Sequence, residues 1–264
     1  MSFFSANNVS AGYGETPVLR NISFSVEKGR LTGILGANGS GKTTLLKAIC
    51  GILPHTGTCT LDGKTLESLS IRALARCCGY IPQRSGIAID ISALDVVLMG
   101  FNPRLRLLEH PDRTMVAAAR QALALVGLSG REGTDYLHLS EGQKQLCVLA
   151  RTLVSDSRLL LLDEPESALD FHFRHRMLET IQSWLREEDR CGIVTLHDPT
   201  LALNFCDELL LLSQGECIGC LHPKDDPLDR MEPMLERIYG KLSLLRCRNR
   251  SGQEQLVMLR EGTV

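Results

Sequence analysis

The chain has 264 residues, 44% hydrophobic and 23% charged, with a formal net charge of −2. This length and apolar content exclude global disorder and suit one large domain or two small ones. The near-neutral balance argues against a general nucleic-acid binder, which carries a basic excess, so no nucleic acid is expected as a partner.

No apolar run approaches the ~18 residues needed to cross a bilayer. Residues 1–14 lack the basic and apolar blocks of a signal peptide, so the chain is expected to stay in the cytoplasm. The ten cysteines are scattered and read as reduced, mostly buried thiols. Cys217 and Cys220 form one C-x-x-C pair, too few ligands for a structural zinc site.

Residues 18–26 predict a strand with Ile22, Phe24 and Val26 on one face, closed by a turn at Lys28-Gly29. Residues 31–35 are a short apolar strand entering a glycine-rich loop, and residues 44–49 continue as helix. Residues 57–61 and the turn Asp62-Gly63 predict a hairpin. Residues 92–99 and 115–126 carry Ala, Leu and Val at helical spacing, broken at Asn102-Pro103 and His110-Pro111. This middle section reads as a helical insertion. Residues 159–162 predict a buried strand ending in two carboxylates. Residues 171–186 follow as helix, 193–196 as a strand ending at His197, and 216–221 as an alternating strand. Residues 222–264 are more polar and give the weakest signal. Strands alternating with helices imply a mainly parallel sheet covered on both faces.

The glycine-rich loop fits G-x-x-x-x-G-K-[ST] in full: Gly36, Ala37, Asn38, Gly39, Ser40, Gly41, Lys42 and Thr43, followed by Thr44. It follows a predicted strand and opens a helix, the context the motif requires. Its physics is phosphate binding. Glycines let successive N–H groups point inward, and the helix N-terminus adds positive potential. Lys42 supplies a point charge for the β- and γ-phosphates, and the Thr43 hydroxyl suits Mg2+. ATP and Mg2+ are therefore the expected cofactors. Asp163 stands where a magnesium-binding acid belongs. Glu164, turned another way by the backbone, is placed to hold an attacking water.

Leu139, Ser140, Glu141, Gly142 and Gln143 resemble the LSGGQ signature of ABC-type ATPases. The resemblance spans about residues 3–240. It implies an α/β P-loop NTPase (RecA-like) core with an N-terminal antiparallel β subdomain and an inserted α-helical subdomain. The ATPase domain is expected over residues 1–240, with the helical insertion at about 85–153. Residues 241–264 are expected as a tail, packed as a strand or extension. The resemblance also implies that the signature touches the ATP of a partner subunit across a head-to-tail homodimer. Tyr13 matches the aromatic that stacks on adenine. Gln83 matches the glutamine that contacts magnesium and the attacking water. Ser167, Ala168, Leu169 and Asp170 match the D-loop, and His197 matches the switch histidine at the γ-phosphate. By the same resemblance Glu164, His197, Gln83 and Lys42 are the catalytic set, and Thr43, Gln83 and Asp163 the metal set.

Three positions depart from the pattern. Glu141 replaces a glycine and should point into solvent, away from the triphosphate. Leu146 stands where Arg is common, and Glu166 where Thr is common.

The missing membrane span makes the chain similar to the separate ATPase subunit of prokaryotic importers. That implies two polytopic membrane permease subunits, an indirectly coupled substrate-binding protein, and a peripheral place on the cytoplasmic side of the cell membrane. The segment from Gln83 to about Pro103 is the expected docking surface. Residues 95–100 (Asp-Val-Val-Leu-Met-Gly), then Pro103, resemble a segment of ATPases serving iron–siderophore, haem and cobalamin importers. Residues 236–240 resemble the tail of that subgroup. Importers of other metals or oxyanions, such as molybdate, are the alternative, and a soluble non-transport ABC-type ATPase is a more distant one.

Overall fold

The computed structural model describes residues 2–83, 86–106, 108–187 and 189–262. The chain opens with strands β1 (Phe4–Tyr13) and β2 (Thr16–Val26), then β3 (Leu31–Leu35) and helix α1 (Lys42–Ile49). Strands β4 (His55–Leu61) and β5 (Lys64–Thr65) follow, with α2 (Ile71–Cys77) and β6 (Cys78–Ile81) after them. Asp62 and Gly63, with φ of 48° and 73°, make the tight β4–β5 turn that the dipeptide predicts. The helical section holds α3 (Ala93–Leu98), α4 (Arg113–Leu125) and α5 (Glu141–Val154). Next come β7 (Leu159–Asp163), α6 (Phe171–Glu187), β8 (Cys191–Thr195) and α7 (Pro199–Phe205). The chain closes with β9 (Glu208–Ser213), β10 (Glu216–Leu221), α8 (Leu228–Tyr239) and the hairpin β11 (Leu242–Arg248) and β12 (Glu254–Arg260).

The strands form two main sheets. An antiparallel sheet runs β2-β1-β4-β5, and a six-stranded sheet runs β10-β9-β3-β8-β7-β6. Strands β9, β3, β8, β7 and β6 are parallel, and β10 pairs antiparallel at the edge. This is the α/β P-loop architecture that the motifs imply.

The four leucines of β7 explain the layering. All are buried, but neighbours point to opposite faces of the pleat. Leu159 and Leu161 join a core with Leu45 and Leu46 of α1 and with β1 and β2. Leu160 and Leu162 join a second core with Val148 and Leu149 of α5, Leu178 of α6 and Val97 of α3. Burial on both faces is what makes a parallel strand read as a continuous apolar run.

Helix α7 is absent from the sequence reading, and α2 and α8 escape it for reasons that can be named. No residue of α2 is buried, and its Ile71 is 89% exposed, so no apolar stripe marks it. Helix α8 buries Met231 and Leu235 but carries Pro233 in its interior, a residue that ordinarily argues against helix. The strand expected at 193–196 lies at Cys191–Thr195, leaving Leu196 and His197 in the loop beyond it. The C-terminal hairpin is fastened to α7 and α8 by side chains. Asn204 exchanges two bonds with the Leu256 backbone, at 2.8 and 2.9 Å, and the Leu244 N–H donates to Glu232 at 2.7 Å.

Candidate active site

Four adjacent parallel strands deliver the predicted residues to one end of the sheet. The phosphate loop leaves β3, and Gln83 lies two residues beyond β6. Asp163 ends β7 with Glu164 beside it, and His197 lies two residues beyond β8. The carboxyl end of a parallel sheet is where open α/β folds bind ligands. Tyr13, Asn38, Gly39, Ser40, Gly41, Lys42, Thr43, Thr44, Gln83, Glu164 and His197 line one open cleft of about 450 Å³ there.

The loop is built tightly. Gly41 caps α1 in the left-handed region at φ 104°, and a Cβ there would meet Leu19 Cδ2 at 2.6 Å. Glycine is therefore required at that turn. Lys42 is buried, and its ammonium donates to the Gly36 carbonyl at 2.9 Å. Ser40 is buried too, and its hydroxyl has no partner among the described residues. Tyr13, at the end of β1, is half exposed on the cleft rim.

The two acids divide their surroundings. Asp163 Oδ1 accepts from the Thr43 hydroxyl at 3.0 Å and from the Thr195 hydroxyl at 3.0 Å. Its Oδ2 accepts from the Tyr80 phenol at 3.4 Å. Burial and the nearby Asp163 carboxylate push the Tyr80 phenol well above its ordinary range. Glu164 faces a different set. Its Oε2 accepts from Gln83 Nε2 at 2.6 Å and lies 2.7 Å from His197 Nε2, while Oε1 is 4.0 Å from Lys42 Nζ. The Glu164 backbone sits at φ 50°, a strained conformation for a side-chain-bearing residue, and its N–H is held by Thr195 Oγ1 at 2.9 Å. Thr195 thus touches both acids.

Thr195, Tyr80 and the setting of Glu166 are absent from the sequence reading. The β7–β8 register, which sets Asp163 opposite Thr195, brings the threonine in. Glu166 is 2% exposed, with Oε1 accepting the His197 N–H at 2.8 Å and Oε2 without a partner among the described residues. Burial raises its carboxyl pKa, and the Glu164 charge adds to the rise.

The signature residues lie apart from this cleft. Ser140 caps α5 and accepts from the Gln143 N–H at 3.2 Å, while Gln143 Oε1 accepts from the Ser140 N–H at 3.0 Å. This capping box makes the polar segment a sound helix start. Leu139 is buried behind it. Gly142 lets the D-loop approach, since a Cβ there would stand 3.1 Å from the Ala168 carbonyl. Ser140, Gly142, Gln143, Ala168, Leu169 and Asp170 line a second hollow of about 370 Å³, and the two linings share no residue. Ser167 lines a third, beside Glu141, Lys144 and Gln83. Glu141 points outward: its side chain is 78% exposed and pairs with Lys144 at 2.8 Å. Leu146 is a core residue of the helical layer. Cys217 is exposed, and the Cys220 thiol donates to Glu208 at 2.7 Å.

Residues 19–167 match the sequence profile of the ABC transporter family. The chain is 39% identical over 241 residues to the hemin import ATP-binding protein HmuV of Jannaschia sp. (strain CCS1), covering 88% of this chain and 86% of that one. It is 37% identical over 209 residues to the manganese transport system ATP-binding protein MntB of Bacillus subtilis (strain 168), covering 78% and 81%. Its fold matches a solved ABC transporter in an inward-facing conformation with a TM-score of 0.82, at 24% identity, over 99% of each chain. The cleft and its motif residues accompany that likeness, and the chain belongs to the ABC transporter family as an ATP-binding, ATP-hydrolysing member.

Proposed function

We propose that this chain is the energy-coupling subunit of a membrane importer, working as a homodimer that closes on two ATP molecules. The observation that carries the catalytic reading is the position of Glu164, where Lys42, Gln83 and His197 converge on one carboxylate. The N–H groups of the loop from Gly36 to Thr44, the α1 N-terminus and Lys42 bind the phosphates. Tyr13 stacks on the base. Thr43 and Asp163 offer hard oxygen ligands 3.0 Å apart, a donor set that fits Mg2+, with Gln83 as a third contributor. When bound, the ion neutralises charge on the β- and γ-phosphates.

In hydrolysis Glu164 accepts the proton of a water as its oxygen bonds to the γ-phosphorus. The bond from that phosphorus to the ADP oxygen breaks. His197 and Gln83 orient the water and the carboxylate. Ser140 and Gly142 of the second copy, at the start of its α5, complete the γ-phosphate shell, with the D-loop from Ser167 to Asp170 alongside. Because the phosphate loop and the signature line separate hollows of one chain, a head-to-tail pair supplies both halves of each site.

The ATPase domain covers residues 1–240, with the helical insertion of about 85–153 as the permease docking face and residues 241–264 as an extension. Two membrane permeases and, through them, a substrate-binding protein complete the system. This places the chain on the cytoplasmic face of the membrane. Among the described residues no helix is long and apolar enough to cross a membrane. The cargo is an iron chelate, haem or siderophore, or cobalamin. The hemin-import relatives and the segment from Asp95 to Gly100 support that class. The manganese relative favours a second reading, a metal-ion importer.

The catalytic test is Glu164→Gln, assayed by phosphate release with ATP affinity measured in parallel. Turnover should fall about 10²–10⁴-fold with nucleotide binding retained; full turnover refutes the assignment of the base. The cargo is tested by growth of cells lacking the chain on haem, ferric siderophore, cobalamin or manganese as the limiting nutrient. Unimpaired growth on all but manganese refutes the iron-chelate reading.

A further inference from the structure

A second cluster of metal-ligating side chains lies outside the ATP cleft, on the antiparallel sheet. Strand β4 bulges where Gly57 takes φ 88° and its pairing with β1 shifts register between Asn7 and Ser10. A regular strand would hold the Cα atoms of residues four apart about 13 Å from each other, so the two side chains must lean together to meet. Here His55 Nε2 and Cys59 Sγ are 4.0 Å apart. Glu67, on the turn after β5, completes the group. Its Oε1 lies 2.9 Å from His55 Nε2 and accepts the Cys59 N–H at 2.7 Å. One ligand atom from each residue falls within 4.8 Å of the other two.

We propose that His55, Cys59 and Glu67 form a binding site for a borderline-soft divalent cation, Zn2+ above all. One sulfur, one imidazole nitrogen and one carboxylate oxygen are the ligand types zinc takes, and three protein ligands leave a fourth position for water. A tetrahedral zinc site with ordinary bond lengths sets its ligand atoms about 3.4–3.6 Å apart. The His55–Glu67 separation must open by about half an ångström and the His55–Cys59 separation must close by about as much, which side-chain torsions supply. Cys59 is fully buried while Glu67 is exposed, so the site has a buried anchor and an open side for entry. Without metal, burial and the Glu67 carboxylate push the Cys59 thiol up to about 12. The metal therefore replaces the proton on sulfur, which is released to solvent, and takes the lone pair of the neutral His55 imidazole at Nε2. A bound ion would clip β4 to the turn that follows β5.

The test is cobalt titration of the full-length, chelator-treated protein without nucleotide, followed by displacement with Zn2+. The expected result is one equivalent of Co2+ with a near-ultraviolet sulfur-to-cobalt charge-transfer band, bleached by zinc. Loss of an outer-shell partner alone costs about 10–100-fold in affinity, so Cys59→Ser and His55→Gln should weaken binding more than about tenfold and lose or shift the band. Glu67→Gln, at an exposed position, should weaken binding similarly and decides the matter if Cys59→Ser does not fold. The double variant Cys217→Ser, Cys220→Ser should titrate as wild type. Absence of the band, its survival in Cys59→Ser, unchanged affinity in Glu67→Gln, or its loss in the double variant overturns the proposal. Cobalt at Thr43 and Asp163 has oxygen ligands only and gives no sulfur band, so this result is independent of the ATPase reading.

Discussion

The ATP cleft and the signature face solve opposite problems with similar residue types. In the cleft, charge is buried and held by long-range contacts. Lys42 and Glu164 are both nearly inaccessible, and Glu164 draws Gln83 and His197 from separate strand ends. At the signature the Glu141 carboxylate is exposed, and the side-chain bonds among the described residues are local. The Ser140–Gln143 capping box and the Glu141–Lys144 pair each span three residues of one helix. The first arrangement is made by the fold of one chain and is electrostatically strong. The second is a finished helix start with a hollow beside it. Its worth lies in what it presents to a second molecule. A change in the cleft should therefore act on chemistry, and a change at the signature on assembly.

Ser140→Ala gives the largest expected separation of the two regions. It removes the N-cap, which costs about 0.5–2 kcal/mol of stability. In the proposed dimer it also removes a γ-phosphate donor to the second subunit's site, for which a loss of about 10²–10³ in turnover is expected. ATP binding to a single copy should be unchanged. Parallel calorimetry and phosphate-release assays check this, and weakened single-copy binding would erase the distinction.

Glu166→Gln sharpens the electrostatic side. Because burial raises the Glu166 carboxyl pKa, the folded chain holds that proton more tightly than the unfolded chain does. Stability attached to this group is greatest below the unfolded carboxylate pKa and falls as pH rises through the folded one. The neutral variant should therefore melt higher than wild type at pH 8, with the gain shrinking toward pH 5. A gain that grows toward low pH would contradict the buried-acid assignment.

The smallest effect is expected for Glu141→Gln. Its partner bond to Lys144 is exposed and its carboxylate faces water, so turnover should stay within about twofold of wild type. A large rise in turnover would mean that Glu141 opposes the docking triphosphate.

The legible and illegible parts of the site differ in the range of the interactions that make them. The phosphate loop, the acids at the end of β7 and the signature are contiguous, so their residue types and order carry their physics. Thr195 and Tyr80 are as close to Asp163 as Thr43 is or nearly so, yet no local pattern marks them. They arrive through strand register, which a single sequence does not display. The buried state of Glu166 is hidden for the same reason, because it depends on the loop after β8 folding over it. In the fold, β7 is legible because four leucines are buried on both faces. Helix α2 is not, because it buries nothing, and α8 is masked by Pro233.

The central claim is that one chain holds two halves of different ATP sites. Glu164→Gln, which should bind ATP without consuming it, tests this directly by solution mass with and without saturating ATP and Mg2+. The account predicts twice the monomer mass with nucleotide, the monomer mass without it, and no dimer when Ser140→Arg is added. A monomer at saturating ATP, or a dimer indifferent to both nucleotide and Ser140, would contradict it.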